Sequence, residues 1–95
     1  MNVKLNRNDT ELTVALEGRL DTLTAPELEE QLEPEVEDIE KLIFDFAELE
    51  YISSAGLRVL LAAQKEMDEM VVTNVRPEVM EVFEVTGFAD FLNIE

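Results

Sequence analysis

Residues 3–7, VKLNR, and 12–16, LTVAL, alternate apolar with polar side chains, the period of strands that bury one face. Asn8 and Asp9 separate them. Both residue types tolerate turn geometry and bond their own backbone, so the first 18 residues read as a β-hairpin closed off by Gly18. The period then changes. In DTLTAPELEEQL, Thr24 offers an N-cap, Glu27 supplies the second half of a capping box, and Pro26 falls where a first helical turn has no use for its N–H. A helix is predicted from about Thr24, with Leu28 and Leu32 inward and Glu27, Glu29, Glu30 and Glu33 in water.

The stretch 34–40, PEVEDIE, reads as a solvated helix end and connection. KLIFDF, residues 41–46, is a short apolar run of the kind expected for a central strand covered on both faces. Leu57, Leu60, Leu61 and Gln64 follow helical spacing with Val59, Ala62 and Ala63 on the flanks, and MVVTNV, residues 70–75, predicts another buried strand. In RPEVMEVFEVTGF, Pro77 marks a helix start, Val79, Val82 and Phe83 form its stripe and Gly87 its C-terminal cap; FLNI, 91–94, predicts a last short strand. Hairpin, helix, strand, helix, strand, helix, strand is the order of an α/β domain. Its sheet is expected to be mixed, an N-terminal β-hairpin extended by parallel strands, with helices on one side. Residues 1–95 read as a single domain without linkers or repeats.

Charge narrows the partners. Asp and Glu number 23 against 7 Lys and Arg, a formal net charge of −16, which repels phosphate backbones and anionic lipid head groups. Nucleic acid and a membrane surface are therefore not expected as partners, and a basic or mixed-charge protein surface is. Cysteine and histidine are both absent, which removes disulfides, thiol nucleophiles, zinc clusters and the usual general base. No catalytic residue, metal site or cofactor is expected. The N-terminus has neither a basic n-region nor an apolar h-region, and no 18-residue apolar run follows, so a cytoplasmic location is expected.

One junction stands out chemically. In EYISSAGLRVLL, residues 50–61, two serines, an alanine and a glycine separate an apolar run from an apolar helix. Either Ser53 or Ser54 can cap the helix by accepting one of its orphan N–H groups, worth roughly 0.5–2 kcal/mol. Ala55 and Gly56 would let the helix begin close to the sheet. Two hydroxyls exceed what a cap requires. A helix start can also hold an added phosphate, so a phosphoserine there leaves the fold standing while it places a dianion in any contact surface. Asp21 and Thr22 lie between the hairpin and the first helix, where Asp21 suits a turn cap. Arg58, one helical turn after Ser54, is either a contact for a partner carboxylate or phosphate or a bare surface arginine.

Taken together, GRLDTLTAPELEEQL, LIFDFAELEYISSAGLRVLL and RPEVMEVFEVTGF resemble a STAS domain, the sulfate transporter and anti-sigma factor antagonist family. The resemblance is nearest to the stand-alone bacterial anti-sigma factor antagonists. It implies that Ser54, ahead of Ala55 and Gly56, is phosphorylated by a serine kinase that is itself the anti-sigma factor. Unphosphorylated antagonist would bind that kinase and free a sigma factor, phosphorylation would break the complex, and a phosphatase would reset it. The implied partner interface comprises Asp21, Thr22, Ser53, Ala55, Gly56 and Arg58, and the protein would be a switch, not an enzyme. Nucleotide hydrolysis at Ser54 would need a phosphate-binding glycine loop, a basic clamp and a base that the chain lacks.

The chain departs from the family pattern in three places. Several relatives carry aspartate where Ser53 stands, the turn ahead of MVVTNV has no glycine, and the sequence stops at FLNIE where relatives continue into a C-terminal helix, which is expected to be missing here. These departures suit a second reading, a STAS scaffold or regulatory subunit of a larger complex that is never phosphorylated. They also predict apolar surface near Phe88, Phe91 and Leu92 open to a homodimer contact or another partner.

Overall fold

The computed structural model describes all 95 residues. Strand β1 (Asn2–Asn8) pairs antiparallel with β2 (Glu11–Leu20) around Asp9, which takes φ 60 in the turn. Helix α1 (Ala25–Leu32) crosses to β3 (Lys41–Ile52), α2 (Ser54–Glu66) to β4 (Glu69–Thr73), and α3 (Pro77–Thr86) follows. Sheet order is β1-β2-β3-β4, with the β2–β3 and β3–β4 pairs parallel. The predicted mixed sheet and its hairpin are thus present.

Period-2 patterning builds one buried face. Leu12, Val14 and Leu16 of β2, Leu42, Phe44 and Phe46 of β3, and Met70 and Val72 of β4 join Leu28, Leu32, Leu57, Leu60, Val79 and Phe83 of the helices in a single apolar cluster. Phe46 links the sheet to α3, its ring 6.4 Å from that of Phe83. The expectation that 41–46 is covered on both faces is not met: Lys41, Ile43 and Asp45 point to a face without helices and are only half-buried.

β3 also runs six residues beyond the predicted strand, to Ile52. Its buried positions pass from every second residue at 42, 44 and 46 to every third at 49 and 52. Register shifts in the β2–β3 pairing, between Ala15 and Glu17 and between Gly18 and Arg19, absorb that change. Gly18 therefore does not end β2. It takes φ 103 at the second irregularity, a conformation that costs glycine little, and Arg19 and Leu20 continue the strand. Since β3 meets β4 only as far as Asp45, β2 and β3 project together for roughly 20 Å beyond that pairing.

At the other end of the chain, α3 starts on Pro77 and stops at Gly87, which adopts φ 83 as the C-cap. The predicted strand 91–94 is reduced to one parallel bridge, Val72 to Ile94, held by Val72 N–H to Asn93 O and Glu95 N–H to Val72 O, each 2.9 Å. A 3-10 turn over Phe88–Asp90 precedes it. The bare apolar patch expected there is smaller than predicted, because Leu92 is buried and Phe88 half-buried, while Phe91 is exposed with its ring 4.6 Å from that of Phe88.

Candidate functional site

Leu20 and Ile52 are register partners at the ends of β2 and β3, so the segments that leave these strands emerge side by side. Ser53 N–H donates to Leu20 O at 2.9 Å, which fixes the chain at its exit from β3. Ser53 then caps α2 from extended backbone: its carbonyl accepts from Leu57 N–H at 3.0 Å and its Oγ from Gly56 N–H at 3.4 Å. Of the two serines it is Ser53 that serves the backbone. Ser54 is the first residue of the helix, exposed, and its hydroxyl bonds to nothing in the protein.

Gly56 explains how the helix comes so near the sheet. A Cβ at this buried position would lie 2.8 Å from Ile52 Cγ1 and 2.8 Å from Leu20 Cγ, well inside ordinary contact. Ala55 packs half-buried against the core beside it. Arg58 follows one turn later on the exposed side, with no hydrogen bond or ion pair to the rest of the chain.

The neighbouring loop is organised by Asp21. Its Oδ1 accepts from Leu23 N–H at 3.0 Å and Thr24 N–H at 3.1 Å, and its carbonyl accepts from Ala25 N–H at 2.8 Å. The Thr24 hydroxyl accepts from Asp21 N–H at 2.8 Å and has Arg19 O and Asp21 Oδ1 in reach of its one proton. That occupation leaves the Thr24 hydroxyl with no bond to the first turn of α1, so the predicted capping box with Glu27 does not form, although the Thr24 carbonyl accepts from Leu28 N–H at 3.2 Å. The Thr24 N–H holds the Asp21 carboxyl below its usual range, against desolvation; Leu23 N–H, the Thr24 hydroxyl and the Arg19 charge act in the same direction. Thr22 is exposed between them.

The fold thus gathers Asp21, Thr22, Ser53, Ser54, Ala55 and Gly56 at one end, with Arg58 a turn away. Sequence reading missed three neighbours. The Arg19 guanidinium lies 4.2 Å from the Tyr51 ring centroid and 4.0 Å from Asp21 Oδ2, and Leu23 is 83% exposed at the tip of the adjacent loop. Tyr51, the residue two before the serine pair, was the available signal; its pairing with Arg19 depends on a bulge that periodicity does not reveal. No three carboxylates converge as a metal-holding group, and no helix is long and apolar enough to cross a membrane.

A four-strand mixed sheet with three helices on one face and a serine-bearing helix entry at the end of β3 defines a STAS-type domain. The chain belongs to the STAS domain family, whose profile matches residues 2–95. It is 37% identical over 93 residues to BtrV of Bordetella bronchiseptica, a protein named as an anti-sigma factor antagonist, covering 93% of this chain and 80% of BtrV. The anti-sigma-B factor antagonist of Listeria monocytogenes is 29% identical over 101 residues, covering 100% of this chain and 89% of its own length. Among solved structures, the anti-sigma factor antagonist SpoIIAA superposes in its unphosphorylated form with a TM-score of 0.86 at 18% identity, over 99% of this chain and 88% of SpoIIAA. Its phosphorylated form gives 0.77 at 17% identity, over 99% and 91%.

Proposed function

We propose that this domain is an anti-sigma factor antagonist whose binding is controlled at Ser54. In this reading the unphosphorylated protein binds an anti-sigma factor serine kinase through Asp21, Thr22, Ser53, Ala55, Gly56 and Arg58, with no catalysis of its own. The Ser54 oxygen attacks the γ-phosphorus of ATP held by the kinase; the new O–P bond replaces the bond to ADP, and the hydroxyl proton passes to a kinase base. A phosphatase hydrolyses the ester and restores the binding form. The reading places the exchange in the cytoplasm, where ATP and sigma factors are found.

The observation that carries this proposal is the division of the serine pair. Ser53 is occupied by the backbone, whereas Ser54 is exposed and unbonded beside N–H groups that a helix start leaves without intrahelical acceptors. A phosphate there gains favourable N–H contacts and leaves the core untouched. The same dianion becomes costly once a partner covers the surface, since an unpaired buried charge costs several kcal/mol. Phosphopeptide mapping after incubation with the cognate kinase and ATP should place the modification on Ser54. Ser54→Ala should stay unmodified and keep binding, and Ser54→Asp should bind at least about tenfold more weakly. Modification of Ser53, or tight binding by Ser54→Asp, would refute the assignment.

A further inference from the structure

The end of α1, the 3-10 turn that follows it at Val36 and one face of α2 from Val59 to Glu66 line a groove of about 200 Å³. Its floor is apolar, made by Leu32, Val36, Val59, Ala62 and Ala63, and three glutamates, Glu29, Glu33 and Glu66, surround it. None of these three carboxylates makes an ion pair or hydrogen bond within the chain. Both helices leave parallel strands in the same sense, so both present their carbonyl ends here; α1 has no basic residue in its last turn, and α2 has one, Lys65, which does not line the groove. Electronegative walls over an apolar floor select for an occupant that is cationic and apolar at once.

We infer that this groove docks a basic amphipathic helix of a partner protein, its apolar side chains on Val59 and Ala62 and its Lys or Arg side chains on the three glutamates. A helix fits because helices, with no free strand edge, form the walls, and the side chains of a third helix can pack between those of the first two. The occupant is not a second copy of this chain. α1 and α3 contain no Lys or Arg, and α2 carries only Arg58 and Lys65, so no helix here is basic. Ser54 is not part of it. Val59, the nearest lining residue of α2, stands five residues further on, about 7.5 Å of helix, and Glu66 twelve, about 18 Å, so the Ser54 side chain lies outside the groove.

A net charge of −16 attracts any cationic peptide, so the test must separate docking from diffuse attraction. The probe is a synthetic helical peptide with leucines on one face and arginines flanking them, compared with a scrambled peptide of the same composition. Both are titrated into the methyl-labelled full chain and followed by NMR. The patterned peptide should shift the methyl signals of Leu32, Val36, Val59 and Ala62 and bind at least about tenfold more tightly than the scrambled one. Ala62→Arg, at an exposed position, should abolish that preference, as should Glu29→Gln, Glu33→Gln and Glu66→Gln combined, while Ser54→Asp should leave it intact. Equal binding by the scrambled peptide, shifts spread over the whole acidic surface, or no effect of Ala62→Arg would overturn the inference. So would sedimentation showing that the chain alone dimerises through these methyl groups.

Discussion

Replacing Gly56 by alanine adds one methyl group where there is no room. The new Cβ would stand 2.8 Å from both Ile52 Cγ1 and Leu20 Cγ and 3.0 Å from Leu20 Cδ2, whereas carbon atoms rest at about 3.5–4.0 Å. Two of those three atoms lie near the root of their side chains, and both residues are buried, so neither can swing aside cheaply. Either the first turn of α2 lifts by most of an ångström or Leu20 and Ile52 leave their preferred rotamers. Overpacking of this kind costs about 1–3 kcal/mol. Alanine's better helix propensity offsets up to about 1 kcal/mol, and less so near a helix start. Gly56→Ala should therefore destabilise by about 1–2 kcal/mol, lowering the urea midpoint at constant slope and the melting temperature by about 4–8 °C per kcal/mol. A midpoint equal to or above that of the parent would mean that propensity outweighs crowding, and that the close approach of helix to sheet is looser than the distances state.

Three other perturbations act on the same end of the molecule or on its charge. Ser53→Ala removes a cap bonded at 3.4 Å, so the loss should lie near the lower part of the usual range, about 0.5–1 kcal/mol by chemical denaturation, with phosphate still accepted at Ser54. Asp21 has a folded-state pKa below its unfolded value, so its contribution is complete above the ordinary aspartate value of about 3.9 and fades as pH falls through the folded one. Asp21→Asn should flatten that part of the acid stability profile. A body of net charge −16 repels itself, so its melting temperature should rise between low salt and about 0.1 M sodium chloride, where screening reaches about 10 Å; a flat response would show the acidic residues to be too dispersed to matter.

Much of the fold was legible because its signals are local. Alternation at 3–7 and 12–16 specified the hairpin, Pro77 and Gly87 bounded α3, and small residues after a serine pair marked the entry to α2. The failures are non-local. The length of β3 was hidden because bulges within it, one extra residue at each of two register shifts against β2, turn a two-residue period into a three-residue one after Phe46. Thr24 looked like a cap until Asp21, three residues earlier, engaged its hydroxyl. Face coverage, too, depends on where the helices cross: α1 and α2 lie on the same side, so Ile43 is left half-buried although it stands in an unbroken apolar run. At the candidate site, the place of the serine pair at a helix entry was legible from the residues that follow it, whereas the Arg19–Tyr51 stack needed the three-dimensional register.

The Leu20–Ser53 bond bears on how any enzyme can gain access to Ser54. A kinase that threads its substrate as an extended peptide would have to draw residues 51–56 out of the fold. That would break the Ser53 N–H bond to Leu20 and the Leu57 N–H bond to Ser53, and would pull Gly56 from its buried place against Ile52. Opening a segment tied to the core approaches the free energy of unfolding the whole domain, and this makes the threaded route slow and rare. In the proposed reading the Ser54 hydroxyl is instead offered on a rigid shape, with Asp21, Tyr51 and Leu23 at the same end of the fold as its surroundings rather than its flanking sequence. Recognition then reads a folded surface, and a short peptide spanning residues 48–60 should be a far poorer substrate than the intact chain.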